Sequence, residues 1–201
     1  MKIYEFIGNT PLVRLNDYNS NEVHIKLEGC NIFGSAKDRA AFYVLKKLLD
    51  EGKINNSTEI IESSSGNMAV GLAAIGKQLG LRIKVVIDDS ILPINHFLLK
   101  SFGAEFILTS DKDQNGSSLS ARLKIVNDYL DSHKNVYWFD QYNNPLVCEA
   151  YANTLGKELC DEIEGINTVF VAVSSGGTIS GISSILKERN QNIKIIAVDI
   201  K

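Results

Sequence analysis

The chain has 201 residues, enough for one large domain or two small ones, and its 44% hydrophobic and 22% charged content, with 15 glycines against three prolines, excludes disordered, collagenous and low-complexity polymers. Its 21 basic and 24 acidic residues leave a net charge of −3. That balance offers no broad basic footprint, so the expected partner is a small molecule, with no nucleic acid and no membrane.

The opening MKIYEFIGNTPL reaches turn and charged residues after seven positions, too soon for the apolar stretch of a signal peptide. No uninterrupted apolar run approaches the roughly 18 residues of a membrane-spanning helix. Short β-branched runs then alternate with longer helical patterns. Strands are expected at 23–27, 59–62, 83–87, 105–109, 136–139, 168–173 and 194–199, and helices at 38–51, 67–79, 94–102, 117–132, 145–163 and 178–189. Several helices are closed by glycine, at Gly52, Gly80, Gly103 and Gly165. This order is the signature of βαβ units and a mostly parallel sheet. Cys30, Cys148 and Cys160 are odd in number and widely spaced, which fits neither a disulfide framework nor a CxxC motif and points to a reducing cytoplasm. His24, His96 and His133 are scattered, and no metal is expected.

In open parallel sheets ligands bind at the carboxyl ends of strands, where helix N-termini point. Two junctions of that kind stand out. After strand 59–62 comes Ser63-Ser64-Ser65-Gly66-Asn67, followed by the nearly all-apolar MAVGLAAIGKQLG; after strand 168–173 comes Ser174-Ser175-Gly176-Gly177-Thr178. Both present backbone N–H groups without bulky side chains in the way, which suits a carboxylate or a phosphate. Ordinary α/β domains also use such turns as helix caps. Neither turn matches GxxxxGK[ST] or GxGxxG. A third feature, Gly34-Ser35-Ala36-Lys37-Asp38-Arg39, reads either as a solvated charge cluster in the first turn of a helix or as a lysine placed to attack a carbonyl.

Taken together, these segments resemble the pyridoxal-phosphate (PLP) enzymes of the cysteine synthase and cystathionine β-synthase family. IGNTPLVRL (7–15) is similar to that family's opening signature, KLEGCNIFGSAKDRAA (26–41) to its cofactor-lysine segment and ESSSGNMAVGLA (62–73) to its substrate-carboxylate loop. QYNNP (141–145) is similar to its second substrate segment, and SSGGTISGI (174–182) to its phosphate cup. The resemblance implies fold type II, the tryptophan-synthase-β-like arrangement of two interleaved parallel-sheet α/β domains. Residues 1–37 and 146–201 would form the larger cofactor domain, and 38–145 a smaller mobile one.

The resemblance also assigns roles. Lys37 would hold PLP covalently and, once displaced by the substrate amine, remove the substrate Cα proton. Asn67 would hydrogen-bond the cofactor's phenolic oxygen. Ser64, Ser65 and the backbone at Asn67 and Met68, with Gln141, would hold the substrate carboxylate. Ser174, Ser175, Gly176, Gly177 and Thr178 would cradle the cofactor phosphate. The implied reaction is β-replacement: a serine derivative loses its β-leaving group and a nucleophile takes its place.

DDSILPINHFLLKSFGA (88–104), WFDQYNNP (138–145) and AVDIK (197–201) look closer to the branch of N-(2-amino-2-carboxyethyl)-L-glutamate synthases, which join O-phosphoserine to glutamate on the way to 2,3-diaminopropionate for siderophores. On that reading Arg122 would fork two oxygens of the substrate phosphate, with Tyr142 beside it. Arg122 as a solvated helix arginine is the plainer alternative. Met68 and Ala69 stand where the family often has threonine and glycine, and Ile32 and Phe33 where it has proline and glycine. Relatives run to about three hundred residues, so the family fold is expected here truncated at its C-terminal third, without the last strands and the polar residue facing the pyridine nitrogen. A cytoplasmic homodimer acting on amino acids is expected, with two rivals: a cysteine synthase using O-acetylserine and sulfide, and a truncated, non-catalytic paralogue.

Overall fold

The computed structural model describes residues 2–199. The chain divides into two units, Met1–Tyr43 with Asn144–Lys201, and Val44–Asn143.

The second unit is built on a parallel four-stranded sheet. β3 (Glu59–Ser63), β4 (Arg82–Asp88), β5 (Glu105–Thr109) and β6 (Val136–Trp138) lie in the order β5-β4-β3-β6. The chain steps outward from β3 through α2 (Asn67–Leu79) to β4, and through α3 (Pro93–Phe102) to β5. It then returns through α4 (Leu119–Ser132) to lay β6 on the other side of β3. Alternation along the strands sorts the faces. Ile61, Val86 and Val126 form a core into which Ile107, Ile125, Tyr129 and Trp138 pack, so this sheet face is covered by α4. Ile83 points the other way and meets α2 at Gly76, where any side chain would collide with it. Every residue of α2 from Met68 to Gly76 is buried, as its missing polar face requires. The reversal of strand order puts a switch point between the carboxyl ends of β3 and β6.

The first unit starts with a short pair, β1 (Leu12–Arg14) and β2 (His24–Lys26), which is antiparallel. The sequence reading expected β2 within 23–27 and missed β1, because three residues are too few for alternation to show. α1 (Lys37–Asp50) begins here and continues past Tyr43 into the other unit. β7 (Thr168–Ala172) and β8 (Lys194–Val198) pair in parallel around α7 (Gly177–Arg189). The helix expected at 145–163 is interrupted: α5 (Pro145–Tyr151) and α6 (Lys157–Glu162) flank a π-helical turn at Ala152–Gly156. The end of α5 and the start of that turn pack on α7 so closely that a Cβ at Gly181 would lie 2.4 Å from Cys148 O, 2.6 Å from Tyr151 Cβ and 2.8 Å from Ala152 N.

Arg39 ties the unit together. Its fully buried guanidinium takes Glu28 by Nε and Nη2, at 2.7 and 2.8 Å, and Glu158 by Nη1 and Nη2, at 2.6 and 2.8 Å. Glu158 also accepts from Asn9 N, and Lys26 joins Glu158 to Glu162. The 7–10 segment is thereby fixed to α1 and α6. Burial works against both charges, yet the Arg39 bonds hold the Glu158 carboxyl down to about 2. Among the described residues no helix is long and apolar enough to cross a membrane.

Candidate active site

In the first unit the sequence-predicted residues gather around two helix starts. Gly34 takes a left-handed φ of 94°, which turns the chain into α1. Ser35 Oγ accepts from Lys37 N at 3.2 Å, and Asp38, fully buried, accepts from Phe33 N at 2.8 Å and from Ser35 Oγ. The first turn of α1 is therefore held rigid around Lys37. The Lys37 side chain is half-buried and its Nζ donates to Ser175 Oγ at 3.4 Å.

Ser174–Thr178 runs from the end of β7 into α7. Gly176 has φ 83°, a conformation that aims successive N–H groups into one concavity. Gly177 opens the helix where a Cβ would stand 2.6 Å from Val147 Cγ1. The first N–H groups of a helix have no intrahelical acceptor, so α7 presents donors and a positive dipole end at the place that Lys37 reaches.

Sequence reasoning missed Tyr151. Its ring is fully buried, and its hydroxyl donates to Ala36 O at 3.1 Å and is bonded by Thr178. It thus couples the residue before Lys37 to the last residue of the serine-glycine turn. Burial pushes its hydroxyl up to about 12. Tyr151 is the single aromatic within 145–163 and reads as ordinary helix core, and nothing else in the sequence marks it.

In the second unit the turn after β3 carries Ser64, Ser65, Asn67 and Met68. Ser64 N bonds back to Val86 O, while Ser64 Oγ accepts from Gly66 N at 3.3 Å. Asn67 is exposed at the first turn of α2, whereas the Met68 side chain is buried in the core, leaving only its backbone for a ligand. Ser65 Oγ lies at the carboxyl end of β4, accepting from Asp88 N at 2.9 Å and from Arg122 Nη1 at 3.4 Å. Arg122 also lies 3.2 Å from Asp88 Oδ2. Burial opposes the Asp88 charge, but Ser90 and Arg122 outweigh it and hold the carboxyl below its usual range. Arg122 is thus no free solvated arginine. Asp88 and Asn95, which bonds Ser65 O at 3.1 Å, are further members of this cluster that the sequence reading did not single out.

Gln141 follows Asp140, a non-glycine residue at φ 48° whose carboxylate is braced by Asn143. This left-handed step turns Gln141 inward at the switch point. Gln141 N donates to Glu62 Oε2 at 3.1 Å, and Nε2 donates to Glu62 Oε1 at 3.3 Å and to Ser63 O at 3.4 Å. Both Nε2 hydrogens are already engaged. Tyr142 is partly exposed, and burial raises its hydroxyl while Arg122 opposes the rise.

Comparison with known proteins is decisive at the family level: the family model of the pyridoxal-phosphate dependent enzymes matches residues 3–201. The chain belongs to this family. Among solved structures, the PLP-family chain is similar to an O-acetylserine dependent cystathionine β-synthase from Helicobacter pylori, at 29% identity and TM-score 0.90, covering 98% of this chain and 65% of that one. It is similar to a cysteine synthase from Entamoeba histolytica at 30% identity and TM-score 0.87, covering 98% and 59%. A hydrogen sulfide-producing enzyme from Fusobacterium nucleatum matches at 32% identity and TM-score 0.87, covering 98% and 64%. The fold is the α/β fold of type II PLP enzymes, and this chain spans about 60% of the length of the relatives it matches.

Proposed function

We propose that this PLP-family chain carries out β-replacement on a serine derivative, joining O-phospho-L-serine to L-glutamate to give N-(2-amino-2-carboxyethyl)-L-glutamate. The observation that carries the cofactor reading is the approach of Lys37 Nζ to Ser175 within the Ser174–Thr178 turn. The residues fit the group. An amine stands beside a glycine-lined helix start whose donors suit a phosphate, and Gly176, where an added Cβ would meet nothing within 4 Å, leaves room for a close backbone approach. When bound, PLP supplies the electron sink that lets a Cα proton and a β-substituent leave.

The chain's own residues would do the rest. Lys37 holds the cofactor and, once released, moves the proton at the substrate Cα. Ser174, Ser175, Gly176, Gly177 and Thr178 hold the phosphate, and Asn67 bonds the phenolic oxygen. Ser64, Ser65, the Met68 backbone and Gln141 orient the substrate carboxylate. Arg122, with Tyr142 as its neighbour, meets the leaving phosphate; its bond to Ser65 supports that placement.

A second reading, O-acetylserine with sulfide, is favoured by Asp88. This carboxylate already neutralises Arg122 and would suit a donor whose β-substituent is uncharged until it departs as acetate. Offering each donor with glutamate or with sulfide to the PLP-loaded chain, and identifying the product, separates the two. Product from phosphoserine and glutamate is the expected result. If no donor is turned over and Lys37→Ala retains PLP as the wild type does, the chain is a non-catalytic paralogue.

A further inference from the structure

Glu62 is 1% exposed, and among the described residues the groups that act on it most are its own burial, the Gln141 and Ser63 donors and the Asp140 carboxylate. Its carboxylate rests on three N–H donors: Ser63 N at 2.8 Å, Gln141 N and Gln141 Nε2. The charged and titratable groups around it do not compensate its charge. Asp140, on the loop after β6, is a second anion, and Tyr142 lies beyond it. On β4 and α4, Asp88 and Arg122 are paired with each other. The charge of α2, Lys77, sits in its last turn and is bonded to Ser101 O.

A substrate carboxylate held by Gln141 would share one amide with this buried carboxylate. Two anions on one buried amide repel, and the amide has no hydrogen left for the newcomer while both inward bonds stand. We propose that Glu62 takes up a proton from solvent as an amino-acid carboxylate docks on the Ser63–Asn67 turn, so that the acid is neutral in the substrate complex and Gln141 Nε2 turns to the substrate. This rests on the carboxylate-binding role given above to Ser64, Ser65 and Gln141. Glu62 acts through Gln141 as a positioning residue and changes no bond of the substrate. Burial already lifts its carboxyl to about 7, so the proton is available near neutrality.

The sign follows from linkage: the complex holds one proton more than the free protein, so binding weakens as pH rises above about 7, toward a limit of tenfold per pH unit. The test titrates the PLP-loaded full chain with L-serine, read by absorbance, from about pH 6 to about pH 8. Glu62→Gln is titrated alongside, so that ionisation of the substrate amine, common to both proteins, cancels in the ratio. The expected result is a ratio of wild-type to Glu62→Gln dissociation constants that climbs as pH rises through about 7. Infrared difference spectra of the wild type supply a readout that needs no variant. L-serine should bring up the carbonyl band of a newly protonated buried acid, and L-serinamide, which lacks the carboxylate, should not. Equal slopes in the two proteins, or L-serine binding without that band, overturns the proposal alone. If L-serine produces no spectral change, the substrate-site reading fails and the proposal with it.

Discussion

Arg122 meets Asp88 and Ser65 at once, so its guanidinium plane is fixed before any ligand arrives. Preorganisation of this kind makes its removal selective. Arg122→Ala should raise the KM for O-phosphoserine by roughly 10- to 100-fold, the equivalent of about 1.5–3 kcal/mol for a charge-assisted bond, while leaving O-acetylserine within about twofold. Steady-state kinetics with the two donors would expose an equal loss on both, which would remove Arg122 from donor selection. Glu62 gives a test in the absence of any ligand. Its folded value of about 7 lies above the ordinary 4.5, so folding binds a proton between these values and stability falls as pH rises through that window, by about 3 kcal/mol at most. Glu62→Gln lacks this loss. Its melting temperature relative to wild type, followed by the emission of Trp138, the single tryptophan, should climb between pH 4.5 and pH 7 and then level off; a constant difference would contradict the buried-acid picture. Lys37, Ser65 and Gln141 are legible in the sequence because the segments that carry them resemble the family's motifs. Glu62, Asp88 and Tyr151 stayed hidden because their importance comes from burial and from partners remote along the chain.

α5, the π turn and α7 form the element that carries the serine-glycine turn. Gly181 is the contact that lets them meet, with Tyr151 and Cys148 where a Cβ would stand. Gly181→Ala should therefore destabilise the chain by about 1–3 kcal/mol, as overpacking does, despite alanine's better helix propensity. A fall in the circular-dichroism midpoint together with weaker PLP retention is expected, because the displaced Tyr151 also bonds Ala36 and Thr178. A variant more stable than wild type would mean that propensity outweighs the contact. Most elements of this chain are legible from periodicity, α2 with its bounds intact at 67–79. The π turn is not, since one extra residue per turn leaves the apolar spacing nearly unchanged over five residues. β1 is equally opaque: its pairing with β2 is decided by tertiary contacts of a three-residue strand.

At the scale of the whole chain, the opening segment, β2, α1 and α6 converge on Arg39, and no local pattern announces such a centre. Arg39→Met should cost about 3 kcal/mol, the lower end of the range for a broken buried pair, because Glu28 and Glu158 keep some solvent. Glu158 adds a pH signature. Its folded value of about 2 lies below the ordinary 4.5, so its contribution is complete above 4.5 and fades as pH falls toward 2. Acid melts followed by circular dichroism should show this fade in wild type and lose it in Arg39→Met; identical acid limbs would disprove the coupling. The parallel α/β architecture itself follows from the strand-helix alternation, whereas the return of β6 to the free side of β3 does not.

That return has a consequence for how the protein is made. β6 pairs with β3 across a gap that separates Thr58 from Asn135 by 77 positions. On the ribosome, β3, β4 and β5 emerge first and expose an open strand edge until the segment around Trp138 leaves the exit tunnel. The crevice that holds Gln141 is thus the last part of its sheet to be assembled, and a nascent chain arrested before that point should be a client for chaperones rather than for amino acids.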